Sequence, residues 1–360
     1  MKKALKTKIR GLKKPQFERL KELTSHAKNL YNQTLWTVRE AYNATGLHFG
    51  FFQMDKAMKQ VPNLEGHINY RLLKCVNAQQ TLKRVEQNFK SFFKAHQDFQ
   101  KHPGKYKGKP KPPQFKRQTQ DNLIYTYQGF QVKDGWVVLE KETGLKIKLP
   151  NQLVGQTIKQ IEIIPKPHCF YAVFVYEEPA GQKPQVPCND QVMAIDIGLN
   201  NLATCVTNGV VQPFIIDGRR LKSINAYYNK RKAKLQAKLA TQRNCKWSRQ
   251  LQRLTDWRHA AINDYLHRAS YQVVNTCVTH QIAKVVVGDI TQSLNRINLG
   301  KRTNQNFVNL SLGQFINKLR YKLGLHGIEL VVTDESYTSK ASFIGFAGIA
   351  FVCYYEFNPV

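Results

Sequence analysis

Apolar positions recur along this chain with two different periods, and the changes of period divide it into regions. Residues 1–14 alternate partially, with Leu5, Thr7 and Ile9 in register, as one strand of a small barrel would. Pro15 then opens a helix whose apolar positions Phe17, Leu20, Leu23, Ala27, Leu30 and Tyr31 follow the i, i+3, i+4, i+7 rule. A second helix is predicted over 78–99, with Leu82, Val85, Phe89, Phe92, Phe93 and Phe99 as its apolar set. Residues 121–178 switch to short β segments, at 123–127, 136–139, 145–149, 158–164 and 170–176. Gly, Asp, Asn and Pro separate them about every 10 residues, a spacing that suits a small barrel. The stretch 179–187 reads as a linker.

From 188 onward strands and helices alternate, which implies a sheet with helical cover. Strands are expected at 192–195, 202–206, 214–216, 284–287 and 328–332, and helices over 221–239, 256–280 and 312–323. No run of about 20 apolar residues exists to span a membrane. The charged start is not followed by the apolar stretch of a signal peptide. Seven cysteines, scattered and never spaced C-x-x-C, indicate neither a disulfide framework nor a zinc ribbon. Reduced thiols in a cytoplasmic protein are the expectation.

Charge changes the picture most. The chain carries 55 Lys and Arg against 24 Asp and Glu, a formal net charge of +31. A compact protein with that excess repels itself unless a polyanion neutralises it. The basic residues run through every region rather than one tail, which favours an extended nucleic-acid surface over a membrane patch or import signal. Between 101 and 117 Pro and Gly forbid a helix and leave an extended, lysine-rich strap interleaved with Tyr106 and Phe115. Such a segment suits backbone tracking with stacking aromatics, although a plain linker shares its composition. Candidate contacts are Lys105, Lys107, Lys109, Lys111, Lys116 and Arg117 in the strap. Arg219 and Arg220, with Lys230, Arg231, Lys232 and Lys234 on the long basic helix, complete the set. Tyr31 and Trp36 on the first helix are candidates for facing a DNA duplex or for packing in the core.

The sharpest local feature is Ala194-Ile195-Asp196-Ile197-Gly198-Leu199-Asn200-Asn201-Leu202-Ala203. An aspartate leaving a buried strand, followed by Gly and a return into a second strand, is how an RNase H-like nuclease presents its first metal ligand. The segment resembles the first RuvC motif of the TnpB/OrfB family of transposon-encoded proteins. Residues 109–116, His267-Arg268-Ala269-Ser270, Asn304-Gln305-Asn306-Phe307 and the stretch 335–343 match in the family's order. The resemblance implies a multidomain α+β architecture. A β-barrel wedge domain, oligonucleotide-binding-like, would occupy 1–14 and 118–180. A helical recognition lobe with the basic strap would be inserted at 15–117. An α/β RNase H-like RuvC domain would follow over 188–360. It also implies two partners, a guide RNA and target double-stranded DNA beside a short adjacent motif, in a bacterial, nucleoid-associated setting.

Then the pattern departs from the family. A RuvC centre holds two divalent metals with several carboxylates. Asp196 matches the first; the family's second is a Glu near the end of the next core strand, where this chain has Val286-Val287-Gly288-Asp289-Ile290. Gly288 stands at the matching position and offers no ligand. The third carboxylate belongs to a C-terminal context absent here, since resemblance stops at Phe343 and an apolar stretch, 344–360, follows. Asp289, Asp334 or Glu335 are the acids that could substitute. The expectation is therefore no metal site and no required cofactor beyond bound guide RNA, with Mg²⁺ relevant only to residual cleavage. The broken triad and shortened end resemble the TnpB-derived, nuclease-dead repressors (TldR proteins), which occupy promoter DNA. An RNA-guided endonuclease with a rearranged site, and a guide-independent binder of transposon ends, are the alternatives.

Overall fold

The alternation at the N-terminus becomes strand β1 (Lys2–Lys8), and the chain then enters helices α1 (Lys14–Thr45), α2 (Phe51–Met58) and α3 (Cys75–Lys101). Strands β2 (Leu123–Thr126), β3 (Gln131–Lys133), β4 (Trp136–Glu140), β5 (Leu145–Lys148), β6 (Thr157–Lys166) and β7 (Cys169–Glu177) follow. The computed structural model describes residues 2–47, 49–177, 189–198, 200–209, 211–243, 245, 247–288 and 311–333. It divides into two units, 1–181 and 182–360.

In the first unit, Gln16 begins α1 by accepting a hydrogen bond from the Lys13 amide at 3.1 Å. The helix runs well past Tyr31 because Thr34, Leu35 and Val38 continue its buried stripe. Thr24 and Thr34 become tolerable there by donating to the carbonyls of Leu20 and Leu30 at 2.8 and 2.7 Å. Gly46 stops the helix in the left-handed conformation, φ 69°, that closes helix ends at little cost to glycine. The short helix α2 is not evident in the apolar periodicity.

The strands pair as a four-stranded antiparallel sheet, β1-β7-β6-β2, and a separate three-stranded meander, β3-β4-β5. Among the described residues the expected barrel is thus two sheets rather than one closed ladder. The reason is local: Asp134 and Gly135 both have positive φ, 50° and 73°, which ties β3 tightly to β4. Residues of all three helices and both sheets belong to one hydrophobic core, from Leu20, Leu30 and Leu82 to Ile147, Ile161 and Phe174. Polar staples reinforce it. Asn77 donates to the Ile124 carbonyl and Lys74 to that of Leu139, each at 2.7 Å. Arg19 grips the buried Glu140 through two nitrogens, at 2.9 and 3.2 Å.

The second unit contains β8 (Val192–Asp196), β9 (Asn201–Thr207), β10 (Phe214–Asp217), α4 (Arg219–Arg243), α5 (Arg249–Thr279), β11 (Lys284–Gly288), α6 (Leu312–Leu325) and β12 (Glu329–Thr333). Its five-stranded sheet has the order β10-β9-β8-β11-β12. The first three strands are antiparallel neighbours, while β11 runs parallel to both β8 and β12. Buried Met193 and Ile195, with Val285 and Val287, share a core with Leu266 and Val273 of α5 and Phe315 and Leu319 of α6. Helix α5 begins seven residues ahead of the expected 256, at Arg249, because Ser248 caps it by accepting from the Leu251 amide.

Leu82→Ala, at a fully buried position of α3, is expected to cost the first unit about 3 kcal/mol. Urea unfolding should show its transition moved and that of the second unit unchanged.

Candidate nucleic-acid interface

Pro and Gly keep residues 106–120 out of helix and strand, yet the segment is tied down along α1. The Asn32 side chain makes a two-way clamp with Lys116, donating to its carbonyl at 3.1 Å and accepting from its amide at 2.8 Å. Arg39 donates to the Pro113 carbonyl and lies 4.9 Å from the centre of the Phe115 ring. Gln120 reaches Thr24 Oγ1 at 2.9 Å, and the Asp121 amide donates to the Thr24 carbonyl at 2.9 Å. Held at these points, the strap has a defined course along α1.

That course sorts the strap cations. Lys107, Lys109, Lys111 and Arg117 are exposed. Lys105 pairs with Asp98 at 2.8 Å; that carboxyl, shared with Tyr106, is held down to about 2 chiefly by the Lys105 hydrogen bond. Lys116 is turned inward, 4.3 Å from the Tyr31 ring centre and bonded to Asp121 at 2.5 Å, opposite Arg84 on the same carboxylate. Burial, then the charge of Arg84, pushes its ammonium below the ordinary lysine value. Tyr31 is a core residue, 2% exposed, whose hydroxyl accepts from Asn88 at 2.7 Å; no face is left for a duplex. Trp36, 54% exposed, lies on the open side of the same helix.

Helix α4 carries nine Lys and Arg and no acid. Arg219 is held by Asp217 at 3.0 Å, and Arg220 lies over the Tyr265 ring at 5.8 Å. Lys230, Arg231 and Lys234 are exposed, while Lys232 is half-buried, 5.7 Å from the Tyr228 ring. The His267–Ser270 stretch proves to be an internal staple between α5 and α6. Lys322 donates to the His267 carbonyl at 2.7 Å and to buried Ser270 at 2.9 Å, and Lys318 lies 3.1 Å from His267 Nε2. Burial first, then these two lysines, lowers the imidazole below its usual range.

At the C-terminal end of β8, Asp196 points to the face opposite Met193 and Ile195 and is exposed. Gly198 next turns the chain: its amide donates to the Asn201 carbonyl at 3.0 Å, and an added Cβ would sit 3.0 Å from that oxygen. The glycine therefore serves the turn itself. Val287 of β11 is the register partner of Ile195, so Gly288 lies abreast of Asp196 in the parallel ladder. A side chain at 288 would share a face with that carboxylate; glycine supplies none. Asp217, two strands away, is engaged by Arg219. Among the described residues no three His, Cys, Asp or Glu side chains come together to hold a metal, and one carboxylate does not fit a divalent pair. Asp289, Asp334 and Glu335, and the stretches 304–307 and 335–360, lie outside the described residues.

Sequence reasoning passed over Asn32, Arg39 and Asp121, which hold the strap, because nothing in a linear pattern marks a polar residue as a clamp. It also passed over Tyr227 and Trp257, exposed on neighbouring helices. The spacing of Tyr227 from Arg231 and Lys234 on one helix was the only signal in the residues.

A mixed sheet of order β10-β9-β8-β11-β12, with an aspartate at the end of its central strand, has the strand order of an RNase H-like fold. Residues 173–294 match the OrfB_IS605 family, described as a probable transposase. A TnpB-like protein of Methanocaldococcus jannaschii is 24% identical over 157 residues, covering 42% of this chain and 55% of that protein. The match thus spans about half the relative's length. In fold, the chain is similar to Cas12f1 as seen in the cryo-EM structure of a Cas12f1–sgRNA–target DNA complex. That likeness has a TM-score of 0.54 at 14% identity and covers 95% of this chain and 79% of that one. No described helix is long and apolar enough to cross a membrane.

Replacing Lys107, Lys109 and Lys111 together by Gln is expected to flatten the salt dependence of polynucleotide binding by up to about three ions. Lys116→Gln should leave that slope unchanged and lower the melting temperature, because Lys116 is spent inside the protein. Tyr31→Phe should cost about 1 kcal/mol of stability with no change in DNA affinity, read by anisotropy titration.

Proposed function

We propose that this chain is an RNA-guided DNA-binding protein, derived from TnpB, that occupies its target without cutting it and represses transcription when the target is a promoter. In this reading 1–14 and 118–180 act as a wedge and 15–117 as a recognition lobe, and both hold the guide RNA and the duplex. The RuvC-type domain serves as a further binding surface. What supports the proposal is the register that sets Gly288, one step past the Val287–Ile195 pair, on the face of Asp196, at the position the resemblance assigns to a second carboxylate. Two divalent ions stabilise both the attacking and the leaving oxygen in such hydrolysis, and an exposed aspartate with no second ligand grouped beside it among the described residues does not keep them in place. Binding has ample means: a net charge of +31 and an exposed basic strap with a defined course. The Cas12f1 neighbour was solved with a guide RNA and target DNA, which fits those two partners. Base pairing would then read sequence, while protein reads backbone and a short adjacent motif.

The protein isolated from its host should carry one defined RNA, whose variable end names the target by complementarity. Loaded with that RNA, it should protect the matching duplex from nuclease digestion and leave it uncut in Mg²⁺. A Mg²⁺-dependent cut would instead establish a rearranged nuclease. Site-specific binding that survives ribonuclease would establish a guide-independent binder.

A further inference from the structure

Helices α4 and α5 are joined along a buried seam. Tyr228 is nearly buried, its hydroxyl 3.2 Å from that of Thr255, and Arg258 donates to buried Asn225 at 2.7 Å beside the same ring. Outside this seam, Tyr227 of α4 and Trp257 of α5 meet edge to face, ring centres 5.2 Å apart. They remain 48% and 45% exposed. The seam closes without them, so packing the hairpin does not account for two large aromatic faces held in water.

Their surroundings are cationic. Arg231 lies 5.8 Å from the Tyr227 ring centre. On a helix of 3.6 residues per turn, Arg220, Tyr227, Arg231, Lys234 and Lys238 fall on one stripe, with Lys230 at its border. The aromatic pair therefore interrupts a row of positive charge that faces solvent. The acid next to it in sequence, Asp256, receives the Gln252 amide at 2.9 Å.

We propose that Tyr227 and Trp257 form a stacking platform for an unpaired DNA strand, with the phosphates following Arg231, Lys234 and Lys238 along α4. A cation row alone would suit any phosphate backbone. An exposed ring pair adds nothing for a duplex, whose bases are already stacked, but it offers an unpaired base the contact it has lost. The choice of DNA rests on the function proposed above: pairing of a guide with one strand leaves the other DNA strand without partners.

The test uses the full chain and bare oligonucleotides, with no guide, so its outcome is independent of whether a defined RNA is bound in the host. Anisotropy titrations would compare a 15-nucleotide single-stranded DNA, its duplex and the same sequence as RNA across a salt series. Tyr227→Leu and Trp257→Leu keep apolar bulk but remove the aromatic face. Each is expected to weaken single-stranded DNA binding about tenfold with the salt slope unchanged. Tyr227→Phe and Trp257→Phe should bind like the parent, and duplex binding should not move. Lys234→Gln should reduce the slope instead. Loss on single-stranded DNA upholds the platform whether or not RNA shares it. No loss, a loss confined to RNA, or an equal loss on the duplex overturns it. Should a Leu variant fail to melt cooperatively, photocrosslinking of an iodouracil-bearing strand to the unaltered protein decides the matter. An adduct on Tyr227 or Trp257 supports the proposal, and adducts only elsewhere refute it.

Discussion

One buried carboxylate organises much of the first unit. Asp121 takes Arg84 from α3 and Lys116 from the strap, accepts from the Asn122 amide, and donates its own amide to the Thr24 carbonyl of α1. Two helices, the strap and the start of β2 converge there. In a chain with 55 basic residues and 24 acids, an acid inside the protein meets more cations than it needs. Pairing two of them satisfies the buried charge and removes part of the local repulsion. Buried Glu140 does the same for Arg19, and at the strap's entry the more open Asp98 pairs with Lys105. The scarce acids therefore help to set where the chain is held.

A different constraint governs the second unit. Parallel pairing of β8 with β11 places positions 196 and 288 side by side, on the face opposite the apolar residues that share a core with α5 and α6. Register in a sheet buried on one side is set by that core, since a one-residue slip would turn Val285 and Val287 away from it. The same packing sets Gly288, one step past the Val287–Ile195 pair, on the face of Asp196.

Long, strongly periodic elements were legible from the residues alone. The helix expected over 221–239 runs Arg219–Arg243, and the strand expected at 284–287 runs Lys284–Gly288. Their apolar spacing is set by burial against one core. The short helix α2 and strand β3 were not legible, because eight and three residues are too few to establish a period. At the candidate interface, composition separated the basic strap from its surroundings. It did not separate Lys116, turned onto Tyr31 and Asp121, from Lys107, Lys109 and Lys111, which share its chemistry and differ only in direction.

The residues by themselves determined the alternation of strands and helices, the charge that demands a polyanion, and the aspartate at the end of a core strand. All three follow from residue type and local spacing. Only the tertiary structure decided that Tyr31 lies in the core, that the strap is clamped along α1, and that Gly288 stands beside Asp196. Those outcomes depend on contacts between positions dozens of residues apart, which a linear pattern does not encode.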